Sequence, residues 1–338
     1  MISSIKNIEI KGIAVAVPKK IYHNKKYPHF GDGGFKKFFK FTGIKKKRLA
    51  GDKIYTSSLV KSAAEKLIKE LRWKKDSIDI IILITQTPDF QTPATAIKIQ
   101  DELKLNKKII AFDINLGCSA FPYGVSVISS LLKTLGLKRG LLLIGDTLSK
   151  VCKYNDRSTF PIFGDAGSAI AIEKSKKLNE KMYFNFFSDG SSFDDIIIRS
   201  YGLSGREPFN KSNNKFNLKL KGGNVYSFAV NEVPKLMNEI ILKSNLKDKI
   251  KYCIPHQANK MIVEQIEKKI NMKINFLHSF EEFGNTSNTT IPLTIIINKE
   301  KIKRNNYILT SGFGVGASIS NLIFNLKRDT KLLNLIQI

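Results

Sequence analysis

Hydrophobic and polar positions largely alternate from Ile8 to Val17, up to Pro18, the pattern of a strand with one buried face. From Ser57 to Leu71 the spacing is helical instead, with Ala63, Leu67 and Leu71 on one face and lysines and glutamates opposite. Ile80 to Ile84 is a continuous apolar run, mostly β-branched, which predicts a strand covered on both faces. Ile109 to Phe112 and Leu141 to Ile144 predict two more such strands, with a helix over Ser119 to Leu135 between them. Beyond the apolar run Ala169 to Ile172 the same logic recurs. A helix is predicted over Tyr226 to Leu242, a short strand over Tyr252 to Ile254 stopped by Pro255, and a helix over Ala258 to Ile270. Strands over Tyr307 to Thr310 and Ala317 to Phe324 flank a Gly-rich turn. Alternating strands and helices in both halves predict α/β layers. The Lys-rich stretch Lys174 to Lys181 marks the boundary, giving halves 1–175 and 176–338. Gly31 to Arg48, where Phe35, Phe39 and Phe41 sit among six lysines, reads as a mobile loop or a short amphipathic helix. The polar stretch Gly202 to Asn217 is assigned no element.

Composition adds scale. With 338 residues, 42 % of them hydrophobic and 25 % charged, the chain can bury two domains or one duplicated unit. Three cysteines, Cys118, Cys152 and Cys253, argue against a disulfide framework and for a reducing compartment. Met1 to Ile13 reads as a strand rather than a signal peptide, and no apolar run reaches the roughly 18 residues of a membrane span. The expectation is a cytoplasmic protein. The formal charge of +27 fits three readings: compositional drift, an acidic macromolecular partner, or nucleic acid. Nucleic-acid binding lacks a motif here, with no zinc-finger spacing, basic heptads or RNP-like aromatics.

Candidate chemistry centres on Asp113-Ile-Asn-Leu-Gly-Cys118-Ser-Ala-Phe-Pro-Tyr-Gly124. A strand running into Gly117-Cys118 with a helix after it puts the thiol at a helix N-terminus, where backbone dipoles favour a thiolate. Free cysteines are also often inert and buried, and the local sequence accommodates either reading. Two further segments bear on the choice. Ile254-Pro-His256-Gln-Ala-Asn259 sets a histidine between a strand and a helix, and Gly284-Asn285-Thr-Ser287 is a polar turn before an apolar run. Cysteine, imidazole and amide together form a recurrent catalytic combination.

These segments resemble signatures of the 3-ketoacyl-acyl-carrier-protein synthase III family of the thiolase superfamily. So do Phe41-Thr-Gly-Ile44, Phe163-Gly-Asp-Ala-Gly-Ser168 and Ser311-Gly-Phe-Gly-Val-Gly316, all in the family's order between residues 41 and 316. The resemblance implies a thiolase-like duplicated five-layer αβαβα fold and a homodimer. It implies acyl transfer to Cys118, then decarboxylative Claisen condensation with a malonyl thioester on acyl carrier protein. His256 and Asn285 would bind the thioester oxygen, and His256 could also help deprotonate Cys118. The backbone N–H groups of Cys118 and of Ser311–Gly312 would form an oxyanion hole. Asn285 separates the chain from synthases with two histidines, and the late Gly-rich loop lacks the second cysteine of thiolases. Lys37, Phe41, Asn259, Lys260 and the Lys45 to Lys47 cluster are candidates for contacting the carrier or CoA; Thr92 and Phe121 are candidates for the acyl pocket. The family's CoA-serving Trp and Arg are replaced by Lys37 and Phe41, and its docking Arg by Met261, which points to an acyl-carrier-bound or unusual primer. A specialised lipid or surface-sugar acyl pathway is one setting for such departures. No cofactor, no metal and no nucleic acid enter this reading. The alternative is an acyltransferase that moves an acyl group from Cys118 to an alcohol or amine without condensation.

Overall fold

The apolar runs become strands whose alternate residues face two different layers of helices. The computed structural model describes residues 2–175, 180–199 and 217–338. Strands β1 (Ile2–Lys6) and β2 (Ile8–Val17) open the chain. The short strands β3 (Ile21–His23) and β4 (Lys46–Arg48) pair with each other, and α1 (Gly34–Thr42) lies between them in sequence. Then come α2 (Thr56–Glu70), β5 (Ile80–Ile84), α3 (Thr95–Glu102), β6 (Ile110–Ile114), α4 (Ala120–Thr134), β7 (Arg139–Asp146) and β8 (Ala166–Lys174). The rest of the chain begins with β9 (Lys181–Ser188), the small pair β10 (Ile196–Ile197) and β11 (Lys219–Leu220), and α5 (Gly222–Ser244). It continues through β12 (Ile250–Pro255), α6 (Lys260–Lys268), β13 (Asn275–Phe276), α7 (Phe280–Phe283), α8 (Thr290–Ile297), β14 (Asn306–Gly314) and β15 (Ser318–Leu326). Two short strands, β16 (Lys331–Leu332) and β17 (Ile336–Gln337), end it.

One sheet is ordered β16-β2-β8-β7-β5-β6, with β17 also on β2; the other is ordered β1-β9-β15-β14-β12-β13. Within them, β2-β8-β7-β5-β6 and β9-β15-β14-β12-β13 show the same succession of two antiparallel and two parallel pairings. The unit is therefore duplicated. Each sheet needs both faces covered, because its parallel strands are apolar throughout. Ile81 and Leu83 of β5 pack outward on Leu59, Val60, Ala63 and Leu67 of α2 and on Ile99 of α3. Ile80, Ile82 and Ile84 point inward, to Phe121, Val125 and Ile128 of α4. Residues of α8 and the inner face of the second sheet join that same central cluster, while α5 and α6 cover the second sheet's outer face. The layers are α, β, α, β, α. Among the described residues, no helix is long and apolar enough to cross a membrane. The termini cross between the sheets: β1 is an edge strand beside β9, and the C-terminal strands lie along β2.

Two sequence expectations change, and one open alternative is decided. β6 is half-buried along its length rather than covered on both faces, because it ends the sheet and has a neighbour on one side only. The Gly-rich turn is shorter than expected, since β14 runs on through Gly314 before the chain reverses into β15. Between the two alternatives for Gly31 to Arg48, a helix forms: α1, closed by Gly43 at φ +66°, whose N–H donates to the Phe39 carbonyl. The polar stretch from Gly202 lies outside the described residues up to 216, as does 176–179 of the boundary segment.

Candidate active site

The carboxyl ends of the parallel strands of both sheets meet between the layers, where open α/β sheets bind their ligands. A cavity of about 340 Å³ lies there, with Cys118, His256, Asn285, Ser287, Gln86 and Gly314 among its lining residues. Its wall is apolar, with Leu148, Ile196, Leu220, Tyr226, Met261 and Phe313 among the residues lining it.

Cys118 sits where β6 has ended and α4 begins, in a turn closed by the Ala120 N–H donating to the Gly117 carbonyl (2.9 Å). The helix starts there because Ala120, Phe121 and Val125 bury themselves between the sheets. Only 6 % of Cys118 is exposed. The Ser287 hydroxyl is 3.9 Å from its sulfur. Gly314 passes so close that a Cβ there would lie 3.2 Å from Sγ, and its φ of +151° suits glycine alone. The N–H groups of Cys118 and Val315 favour the thiolate. Burial nevertheless dominates and pushes the thiol up to about 12. The expected helix-dipole activation is thus outweighed: the resting group is a thiol.

His256 follows β12 and is held by its N–H donating to the Ser311 carbonyl (2.7 Å). Nδ1 lies 2.7 Å from Thr290 Oγ1, and Phe313 packs edge-on at 5.3 Å between ring centroids. Burial holds the imidazole down to about 3, so it is neutral at neutral pH. Thr290 Oγ1 is also 3.1 Å from the Ser287 carbonyl. When its hydroxyl donates to Nδ1 instead, Nε2 carries the ring proton and is a donor. Asn285 is fixed by backbone bonds to Ile162 (2.9 Å) and Gly164 (3.0 Å), and its Oδ1 accepts from the Ser287 N–H at 2.8 Å. Its NH₂ is left as the donor on offer.

The other expected residues divide. Asn259 lines the cavity, where its side chain caps α6 by accepting from the Ile262 N–H at 3.0 Å. Met261 lines it too. Lys37 and Phe41 are exposed on α1, and Lys260 is half-buried on α6, 3.7 Å from Glu264. Four expectations are corrected. Ser311 and Gly312 are paired inside β14, and a Cβ on Gly312 would strike Ser119 and the Cys118 carbonyl; the backbone N–H groups that act on the sulfur are those of Cys118 and Val315. Phe121 is wholly buried against Phe324 in the central layer, away from the cavity. Thr92 is an exposed loop residue that does not line it. Lys47 cannot contact a partner, because it is fully buried over the Phe160 ring (3.9 Å), and Lys46 pairs with Glu282 at 2.6 Å.

Sequence reasoning missed Asp146 and Gln86. Asp146 ends β7 with no exposure at all. Burial raises its carboxyl to about 6, against the opposing hydrogen bonds from Gln86 N–H, Thr85 and Thr87. The signal was present in Leu141-Leu-Leu-Ile-Gly-Asp146: an acid closing a fully buried strand needs a reason to be there.

Comparison with known proteins bears on this arrangement. Two sequence profiles match, 3-Oxoacyl-[acyl-carrier-protein (ACP)] synthase III over residues 112–190 and its C-terminal part over 243–326. Cys118 falls in the first, His256 and Asn285 in the second. Beta-ketoacyl-[acyl-carrier-protein] synthase III 2 of Halalkalibacterium halodurans is 33 % identical over 327 residues, covering 95 % of this chain and 97 % of that one. The chain belongs to the 3-oxoacyl-[acyl-carrier-protein] synthase III family. The protein of the same name from Staphylococcus epidermidis is 34 % identical over 312 residues, 91 % of this chain and 94 % of that one. The crystal structure of 3-oxoacyl-(acyl-carrier protein) synthase from Burkholderia xenovorans LB400 superposes with a TM-score of 0.93 at 30 % identity, covering 100 % of this chain and 99 % of that one. The family's thiolase-like fold is thus the one built here. Between the two profile matches lie Ile196, Leu220 and Tyr226, so part of this synthase's cavity wall is outside the segments that define the family.

Proposed function

We propose that this protein is a synthase III condensing enzyme that loads an acyl group on Cys118 and extends it with a malonyl thioester. The observation that carries the reading is the meeting of a thiol, an imidazole and a carboxamide, from Cys118, His256 and Asn285, on a single largely apolar cavity. In the first step Cys118 attacks the primer thioester. The N–H groups of Cys118 and Val315, which act on the sulfur in the resting site, turn to the charge that develops on its oxygen. In the second, a malonyl thioester loses carbon dioxide while His256 Nε2–H and the Asn285 NH₂ donate to its thioester oxygen. The enolate carbon then attacks the acyl-cysteine carbonyl, forming the 3-ketoacyl product and freeing Cys118. The apolar wall keeps water from the acyl-cysteine meanwhile.

The primer and malonyl groups arrive as thioesters of CoA or acyl carrier protein, past α1 and the start of α6. Lys37, exposed there, and the half-buried Lys260 give an acidic carrier two cations to meet. We take 1–175 and 176–338 as the two thiolase-like halves and the cytoplasm as the place of action. A homodimer forms through β6, whose free edge and half-exposed Ile110, Phe112 and Ile114 suit pairing with the same strand of a second copy. Light scattering should give twice the chain mass, and Phe112→Lys should shift it to the monomer; a monomeric parent protein would rule this interface out.

Carbon dioxide separates condensation from simple acyl transfer. Acyl-loaded protein given a malonyl thioester should release it one for one with 3-ketoacyl product. Acyl transfer to an alcohol or amine with no carbon dioxide would instead establish the other reaction.

A further inference from the structure

Gln86 lies beside the nucleophile and has no task in the proposed mechanism. A Cβ on Gly117 would sit 2.6 Å from its Oε1, so the carboxamide packs on the residue just before Cys118. The Ser287 hydroxyl, 3.9 Å from Cys118 Sγ, donates to that Oε1 at 3.2 Å. This bond orients the carboxamide and leaves its NH₂ as a donor. The NH₂ has no hydrogen-bond partner among the described residues. It is no buried orphan either: Gln86 is half-buried and lines the cavity, so whatever fills the cavity beside the sulfur meets it.

The segment that carries Gln86 is tied down from behind. Asp146, wholly buried at the end of β7, accepts on Oδ1 from the Gln86 N–H (2.8 Å), Thr85 Oγ1 (3.0 Å) and Thr87 Oγ1 (3.2 Å). The Thr87 N–H donates to Thr85 Oγ1 (3.0 Å), and Thr87 Oγ1 accepts from the Thr147 N–H (2.9 Å). Burying a carboxylate costs stability. The donors on Oδ1 all belong to residues 85–87, so Asp146 holds that turn, and with it the Gln86 side chain, in place against the sulfur.

A donor held in this way discriminates. An apolar acyl chain laid over the NH₂ strips its water and offers nothing in return, whereas an oxygen satisfies it. The rest of the lining limits what that oxygen is. Among the described residues, none that lines the cavity is a lysine, arginine, aspartate or glutamate, so a carboxylate on the primer would enter without a counter-ion. A hydroxyl fits: it accepts from the Gln86 NH₂ and can donate onward to the Ser287 oxygen, while a ketone oxygen only accepts. Reach sets its position. The single Ser287 oxygen bridges Sγ and the Gln86 carboxamide, so the hydroxyl belongs close to the thioester, two bonds past the carbonyl carbon.

We propose that Gln86 is a specificity-determining residue that selects a short primer acyl group bearing a hydroxyl on its third carbon. The proposal rests on Cys118 being the acylated nucleophile. In the loading step the Sγ–C bond forms, the primer's C–S bond breaks and the Cys118 proton leaves with the departing thiol. The hydroxyl is unchanged. Condensation with a malonyl thioester then lengthens the chain by two carbons, so the product is a 5-hydroxy-3-ketoacyl thioester. Gln86 touches the bound acyl group, and Asp146 is a positioning residue that acts through it.

The test gives the full chain two primers of nearly the same shape, 3-hydroxybutyryl (both stereoisomers) and 3-methylbutyryl, as thioesters of CoA and of acyl carrier protein. It reads the second-order rate at which each acyl mass appears on Cys118. The parent should prefer the better hydroxy isomer over the methyl primer about 10–100-fold, the effect of leaving one donor unpaired. Gln86→Leu should invert the ratio and take the methyl primer faster than the parent does. Gln86→Ala, which removes the carboxamide without refilling its place, should also lose the preference and keeps the question answerable should leucine disturb the fold. Asp146→Asn, which slackens the turn, should lower the ratio in the same direction; an unchanged ratio there overturns its positioning role. A part confined to holding Ser287 would instead slow both primers alike. Equal slowing in the Gln86 variants, a parent ratio near one, or a parent that loads other acyl groups but not the hydroxy one each overturn the proposal and leave Cys118 the nucleophile. No adduct on Cys118 from any thioester overturns that assignment as well.

Discussion

Cys118→Ala should give a folded protein that takes up no acyl group. Incubated with an acyl thioester, the parent chain gains one acyl mass and the variant gains none. The loss should be complete because no other thiol can replace it. Cys253 is fully buried in β12 on the far face of the second sheet, among the residues that pack on α5 and α6. Cys152 lies beside Lys47 in an aromatic cluster and does not line the cavity. Burial raises both thiols, so neither offers an exposed thiolate. The fold should survive, since among the described residues the Cys118 sulfur has one side-chain hydrogen bond, the long one to Ser287, and its removal costs on the order of 1 kcal/mol. An adduct appearing on the variant at the parent rate would remove Cys118 from the chemistry altogether.

His256→Ala should separate the two half-reactions. Taking away one donor from a developing oxyanion costs about 3 kcal/mol, or 10²–10³ in rate, and that loss should fall on carbon dioxide release and product formation. Acylation should remain within about threefold. Because burial holds the imidazole down to about 3, it is neutral above pH 5, and the parent's condensation rate should show no limb near 6.5. A limb there, lost in the variant, would contradict a buried neutral donor. Stability carries the same signature with a definite sign. Below pH 6.5 the unfolded chain protonates this histidine and the folded chain does not, so the contribution present at neutrality is lost progressively as pH falls from 6.5 towards 3.

Much of this was legible in the sequence because the central strands have no polar face to obscure them. Ile80 to Ile84 could only be buried on both sides, and that alone demands helices above and below. The three residues we propose as nucleophile and donors stood out because each follows a strand or closes a turn next to an apolar run. What the sequence hid was set by tertiary contact. No local pattern reveals that Lys47 turns inward while Lys45 stays in solvent. Nor does helix position reveal the state of Cys118, since the burial that raises it is completed by chain as distant as Gly314, nearly 200 residues away. Asp146 was missed for the opposite reason: it looked like the polar end of a strand, and only its complete burial marks it out.

The matching order of the two sheets gives the site a pseudo-symmetry. Gln86 and His256 follow β5 and β12, Cys118 and Asn285 come after β6 and β13, and Asp146 and Gly314 close β7 and β14. Each pair occupies one place in the repeated unit. In two identical units facing each other, every such place would hold the same residue, and a nucleophile could be gained only at the expense of a donor. Joined in one chain, the copies are free to differ: one sheet end supplies the thiol and an acid, the other the imidazole, the amide and a glycine small enough to let sulfur approach. The asymmetry that chemistry requires is thus written onto a scaffold that remains symmetric in its strands.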